Sequence, residues 1–599
     1  MQPRLEPQHL EHNMDLSNAR SDWESVKLKA KVAAYKWMYR KVLCKLPEDD
    51  LPGRTSLLPG VTISCETEIG QMEESIEVPN QRAYTSEKPV ISSFLAGIPC
   101  SSLGIRWLLN LLNRTLGTSY TLDTLSLPFV LKDCIAQNYD FGTAYGRLRS
   151  AWCNEHRCII QLKLWEHEAK DIKRRRKAVK GSRIVDPNMD PRRVWDLYSN
   201  RVVPWWSCRV NFRRNNEARP ISHAWVDEVD RVDVWTPING YEWPVPIPKG
   251  ANLDLIRIEM LNLGVQYTWL DVLCLRQRGG PREDLRVEEW KLDVVCYLSG
   301  LGLPLSLKEG SLESDRCWFR RAWTVQEVGE HRTIAGDTPD GPMNVDPIDK
   351  AGNYEDEILT KFHKQLDSAG ITNSLYGALS AMQGRISTYP VDKVAGLAFS
   401  LGTRSIPAYY ESQSLEDAWT ALVNEMHPTY RGKLFFTYPE PGTTRKKWRP
   451  SWEQVMNMSM PIFENGFSWL ADVGRKNDVD DWCDELHIER GFVRGLAVGG
   501  GEGIGRCGEL VVEDADGIVH SFNIFARHQY LIPEDTYTLI GSKPRSWGCI
   551  PYPLQYWVVG RRLPSKTFEK VSVFTMTDMD ETKRLIELNL SVKSRSILA

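Results

Sequence analysis

Hydrophobic and polar positions change period along this chain, and the changes divide it into regions. Ser21-Asp-Trp-Glu24 has the side chains of a capping box and predicts a helix to about Cys44. Residues 46–62, rich in Pro and Gly, read as a linker that closes an N-terminal segment over 1–62. Over 88–190 apolar residues recur at helical spacing. One helix is predicted from Ser101 to Leu116 and another from Tyr120 to Ala136. From about 200 to 400 short apolar runs alternate with helical stretches. Ala218 to Ala224 is a strand candidate. Asn252 caps a helix from Leu253 to Leu263 that Gly264 stops. Val265 to Leu273 and Val294 to Leu298 read as buried strands, Glu283 to Asp293 as a charged helix, and Phe319 to Glu330 as another helix. Buried strands alternating with helices imply an α/β fold with a parallel sheet. Ser414 opens a further helix in an extension over 401–480, and 490–599 reads as β-rich.

Composition adds limits. A chain of 599 residues exceeds one core. Basic and acidic residues number 75 and 78, so the chain as a whole carries no bias toward nucleic acid. The eleven-residue window 173–183 holds seven basic residues, including the run Lys173 to Lys177. It reads first as a solvated helix end or linker, then as a nuclear-targeting signal, and last as an RNA patch, which lacks interleaved aromatics. Thirteen cysteines without a CxxC pair fit reduced thiols and a cytoplasmic location. Cys153 to Cys158 lacks a second ligand cluster, so no metal centre is expected. No apolar run of 18 residues predicts a membrane span. Gly503-Ile-Gly-Arg-Cys-Gly508 matches a dinucleotide fingerprint in letters. A hairpin pattern follows it where a helix is required, so nucleotide binding there is rejected.

Three segments carry candidate chemistry: Ile221-Ser-His-Ala-Trp-Val-Asp227, Leu263 to Gln277, and Trp318-Phe-Arg-Arg-Ala-Trp-Thr-Val-Gln-Glu327. In an open parallel sheet, ligands bind beyond the carboxyl ends of the strands. Ser222, His223 and Asp271 are expected there, and Trp323 and Glu327 are expected on one face of a helix beside them. Glu327 reads either as a catalytic carboxylate or as the partner of Arg320 or Arg321 in a structural ion pair. His223, Cys274 and Asp271 also have the residue types of a thiol nucleophile, base and orienter, a hydrolase reading without a recognisable oxyanion hole.

Together the segments resemble the fungal heterokaryon-incompatibility (HET) domain of basidiomycete type. The first matches at Ser222 and Trp225. The second matches at Gly264, Tyr267, Trp269, Asp271, Cys274 and Gln277. The third matches at Arg321, Trp323, Thr324, Gln326 and Glu327, and Pro390 to Leu397 resembles a pattern that follows the domain. The resemblance implies a TIR-like, flavodoxin-like parallel sheet with flanking helices, and a role in programmed cell death during non-self recognition. TIR domains in turn include NAD-cleaving enzymes that use a glutamate, which aligns with Glu327. On that reading NAD is the substrate and no cofactor is needed. Asp271 and Ser222 orient the substrate, and Trp225, Trp269, His223 and Arg321 contact it. Trp323, Gly264 and Cys274 are structural. The alternative is an inactive domain that acts by self-association or by recruiting other death-pathway proteins. The chain departs from the pattern at His223 and Val226. It also runs from Asp293 into Val294 without a turn, where family members have a longer segment.

Overall fold

The computed structural model describes residues 61–64 and 83–86. From 89 to 599 it describes all but 125–126, 153–159, 187–188, 209–217, 278–293, 306, 309, 328–331, 337–346, 369–373, 411, 461–469, 477–479, 500–504 and 543–554. The expected helix at 21–44, the expected helix at 283–293 with its junction to Val294, and the Cys153–Cys158 cluster lie outside the described residues. The chain is mixed α/β and divides into two compact units. One comprises 1–181, 188–318 and 329–362; the other comprises 182–187, 319–328 and 363–599.

The first unit begins with helices α1 (Cys100–Leu116), α2 (Leu127–Ala136), α3 (Phe141–Trp152) and α4 (Ile160–Ala178). Helix α1 ends at Gly117 in a left-handed cap, a conformation that favours glycine. Helix α2 starts later than the apolar pattern suggests. The Asn113 side chain donates to the Tyr120 carbonyl and accepts the Tyr120 N–H, which holds that stretch as a loop. The basic run Lys173 to Lys177 lies at the end of α4, with Arg175, Arg176 and Lys177 in its last turn. Positive charge there faces the negative end of the helix dipole.

The sheet of this unit contains β1 (Arg193–Asp196), β2 (Arg201–Pro204), β3 (Ile221–His223), β4 (Tyr267–Thr268), β5 (Val294–Tyr297) and β6 (Arg332–Ile334). Strand β5 pairs in parallel with both β3 and β6. The Arg219 N–H donates to the Tyr267 carbonyl at 3.1 Å and the Ile221 N–H to the Trp269 carbonyl at 2.9 Å. With the parallel bridge between Ala218 and Tyr267, these bonds lay β4 along β3. Strand β4 is antiparallel to β1, and β1 to β2. The spatial order is therefore β6-β5-β3-β4-β1-β2. All four residues of β5 are buried, as a continuous Val-Val-Cys-Tyr run in a parallel strand requires. Helix α5 (Leu253–Asn262) follows its predicted bounds, capped by Asn252.

One contiguous hydrophobic core joins the helices to this sheet, from Leu108 and Trp152 to Val272 and Val295. Polar ties reinforce the join. Arg149 meets Asp196 through two bonds of 2.9 and 2.8 Å and lies over the Tyr198 and Tyr267 rings. The buried Arg257 of α5 donates to the carbonyls of Leu197 and Ile91, each at 2.7 Å.

In the second unit, α6 (Leu375–Gln383), α7 (Leu415–Glu425), α8 (Pro428–Thr437) and α9 (Trp452–Asn457) precede a β-rich region. Ser414 caps α7 as predicted. The β-rich region contains β7 (Val473–Lys476), β8 (Asp480–Arg494), β9 (Arg506–Glu513), β10 (Val519–Ala526), β11 (Asp535–Gly541), β12 (Tyr556–Arg562), β13 (Thr567–Met576) and β14 (Val592–Leu598). Hydrogen bonding runs β8-β9-β10-β13-β12-β11 and returns to β8, which closes a six-stranded barrel. The hairpin predicted after the glycine-rich run is β9–β10, with Glu513 opposite Val519. Leu510, Leu539, Trp557 and Phe574 belong to the core of this region. At the start of β8, buried Asp481 meets Arg431, Lys446 at 3.1 Å and the Trp448 N–H at 3.0 Å. Burial alone pushes that carboxyl upward, and these partners hold it below the usual range.

Two expected elements differ. Val265 to Leu273 is a two-residue strand followed by a helical turn at Asp271–Cys274. The Asp271 carboxylate accepts the Val272 N–H at 2.7 Å, and Gln277 donates to the Asp271 carbonyl at 3.0 Å, so local bonds replace the ladder. Over Phe319 to Glu327 no α-helix forms. Two 3-10 turns, Trp318–Arg320 and Trp323–Val325, flank Arg321. Arg321 makes a parallel bridge to Ile386, with Ala322 N–H to Ile386 O at 2.9 Å and Ile386 N–H to Arg320 O at 2.6 Å. An isolated bridge to a distant residue takes the place of the helical pattern of the sequence.

Candidate functional site

The candidate site is built at the carboxyl ends of β3, β4 and β5. Strand β3 carries Ser222 and His223, both buried. The Ser222 hydroxyl accepts the indole N–H of fully buried Trp318 at 2.7 Å, across 96 residues of sequence. His223 Nε2 lies 2.9 Å from Asp271 Oδ1, across 48 residues, and Nδ1 lies 3.2 Å from the Ala224 carbonyl. Both ring nitrogens thus face oxygens. The Ala224 N–H donates to the Tyr297 carbonyl at 3.0 Å, so β3 and β5 stay bonded past Ser222.

Aromatic side chains wall this cluster. The Trp225 ring lies 5.5 Å from the His223 ring, tilted 34°, and the Arg231 guanidinium lies 5.1 Å from the Trp225 ring centroid. Trp269 is half-buried against the core, and its indole N–H is buried without a protein acceptor. Such an N–H carries a desolvation cost that a bound acceptor relieves. Cys274 is buried at the end of the helical turn that Asp271 begins. Gly264 follows α5 with φ of 79°, the left-handed conformation that its place as a helix stop requires.

Ser222, His223, Trp225, Gly264, Trp269, Asp271, Cys274 and Trp318 belong to the first unit; Arg321, Trp323 and Glu327 belong to the second. In the second unit the Arg385 guanidinium donates to the Arg321 carbonyl at 2.7 Å and also to Thr324, which pins the turn that carries Trp323. Glu327 follows this turn and is half-buried. Gln326 is buried, and neither of its amide atoms finds a protein partner.

Sequence reasoning missed two contributors. Trp318 opens the third segment, yet nothing in its spacing marks its bond to Ser222. Glu259 on α5 accepts the Tyr297 hydroxyl at 2.5 Å and the Gly336 N–H at 2.9 Å, which ties the ends of β5 and β6. A single carboxylate on an amphipathic helix gives no signal of that role.

Both ring nitrogens of His223 are directed at oxygens, and Cys274 lies buried at the end of the turn that Asp271 begins. Among the described residues no cluster of potential metal ligands occurs and no helix is long and apolar enough to cross a membrane. Compared with protein-family models, curated proteins and solved structures, the chain matches none.

Proposed function

We propose that this chain is a HET-type cell-death effector of fungal non-self recognition, and that it cleaves NAD with Glu327 as the stabilising anion. The observation that supports the proposal is the meeting of the first two resembling segments with Trp318, the residue that opens the third. Ser222 and His223 of the first are bonded to Trp318 of the third and Asp271 of the second, at the carboxyl ends of parallel strands. Segments that are distant in sequence and meet at the ligand-binding edge of a sheet define a site more specifically than any one motif. The strand order supports a TIR-like, flavodoxin-like sheet. Taken in chain order as first to fourth, β3, β4, β5 and β6 lie 2-1-3-4 in space, the order of flavodoxin-like folds.

In the proposed reaction the bond between ribose C1′ and the nicotinamide nitrogen breaks, and its electron pair leaves with nicotinamide. Water adds to C1′ and releases a proton, giving ADP-ribose. The transition state has the oxocarbenium character of glycoside cleavage. A fixed carboxylate is worth more beside that developing charge than beside the ground state. Asp271, locked to His223, and Ser222 orient the substrate. Trp225 offers a ring face, and Trp269 an N–H donor.

Purified full-length protein incubated with NAD tests this reading. Wild type is expected to release nicotinamide and ADP-ribose, and Glu327→Gln to lose at least a hundredfold in rate. Equal rates in both would remove Glu327 from the mechanism. No release by either, with death still induced in a fungal host, would favour the self-association reading.

A further inference from the structure

A hairpin beside the candidate site has one blocked edge and one open edge. Arg231–Val234 pairs antiparallel with Val245–Pro248, and among the described residues neither strand pairs with another. Val245 and Ile247 belong to the core of the first unit, so Val245–Pro248 is the inner strand and Arg231–Val234 the outer one. Pro246 stands opposite Asp233, and Pro248 opposite Arg231. Proline has no N–H to give, and the Lys249 N–H donates to the Asp230 carbonyl at 2.8 Å, so the ladder bonds run through Val232 and Val234. The inner strand therefore turns its prolines to its far side, which cannot donate there. The outer strand turns the backbone groups of Arg231 and Asp233 away from the hairpin. The Arg231 N–H is taken by the Glu228 carbonyl. The Arg231 carbonyl and both backbone groups of Asp233 have no partner among the described residues. Such an edge is a template for one more strand.

The same strand from a second copy fits this edge. With a twofold axis at Val232, Arg231 of each copy stands opposite Asp233 of the other. The outward backbone groups then meet, and opposite charges lie side by side on one face. The Asp233 N–H of each copy donates to the Arg231 carbonyl of the other. An axis at Arg231 or at Asp233 would oppose like charges instead. Val232, 39 % exposed, packs on its own equivalent, and the exposed Trp235 approaches the exposed Val229 of the other copy. The Trp225 ring under Arg231 restricts that side chain before pairing. Its existing contact with Glu228, at 3.4 Å, is a surface pair of the kind that contributes little.

We infer that Arg231–Val234 is a self-pairing edge, through which two copies of this chain join their hairpins into one continuous antiparallel ribbon. The pairing rests on no step of NAD cleavage and is open to an active or an inactive domain alike.

Sedimentation velocity and crosslinking of the full-length chain test the inference. Wild type is expected to pass from monomer to dimer between low micromolar and tens of micromolar. Asp233→Arg sets arginines opposite each other and is expected to weaken the dimer at least tenfold. Combining it with Arg231→Asp restores opposite signs and is expected to recover most of that loss. Val232→Cys lies at the axis, and in air-oxidised samples it is expected to give a disulfide-linked dimer on non-reducing gels. Val229→Cys, away from the axis, is expected to give none beyond the wild-type background, to which the exposed Cys507 contributes. A monomer at every concentration, a dimer indifferent to Asp233→Arg, or equal crosslinking by the two cysteine variants would overturn the proposal. The crosslinking variants replace exposed valines, so they remain decisive even where the double variant fails to fold.

Discussion

Ser222 shows how much one hydroxyl can hold. It accepts the indole N–H of Trp318, and both groups are buried. Ser222→Ala leaves that indole N–H without this acceptor, at a cost of about 1–3 kcal/mol. Urea unfolding is expected to give a lower midpoint with an unchanged slope; an unchanged midpoint would show the bond to be dispensable. Lys570 presents the opposite case. It is buried, donates to the Phe435 carbonyl at 2.7 Å, and burial pushes its ammonium down to about 7. Between that value and about 10.5, the ordinary lysine value, the unfolded chain binds more protons than the folded one, so stability rises with pH. Lys570→Met removes this dependence. The stability of wild type relative to the variant is expected to improve steadily in urea titrations at pH 7, 8 and 9. A constant difference would mean that Lys570 keeps its proton throughout.

At the scale of elements, close backbone approach decides what is tolerated. Gly432 in α8 lies so near the Ala471 carbonyl that an added Cβ would overlap its oxygen. Gly432→Ala is expected to destabilise the chain by about 1–3 kcal/mol despite the better helix propensity of alanine, as thermal unfolding would reveal. The same scale separates what was legible in the sequence from what was not. Helices α5 and α7 carry their stops and caps in the sequence, as Asn252, Gly264 and Ser414, and they form where predicted. Strand β5 and the β9–β10 hairpin were legible for a similar reason, since a continuous apolar run and a tight turn are local signals. The stretch from Phe319 to Glu327 was not. Its helical pattern yields to the pairing of Arg321 with Ile386, which lies 65 positions away in the chain. Likewise, Asp271 begins a helical turn where a strand was expected, and its own carboxylate accepts the Val272 N–H within that turn.

For the molecule as a whole, the sequence suggested separate helical and α/β regions, whereas one hydrophobic core runs through α1 to α5 and the sheet. The third motif is divided, with Trp318 in the first unit and Phe319–Val328 in the second. Residue types and spacing pointed to Ser222, His223 and Asp271 as a group. The bond between His223 and Asp271, and the role of Trp318, needed the three-dimensional arrangement of β3, β4 and β5. Closure of the C-terminal strands into a six-stranded barrel was equally beyond reach, because the pairing of β8 with β11 is non-local. The central claim is that these segments serve an NAD-consuming death effector. Its most direct test is cellular NAD after induced expression in a fungal host, with wild type and Glu327→Gln at equal protein level. NAD collapse and death are expected with wild type, and neither with the variant. Death caused by both proteins while NAD stays intact would contradict the claim.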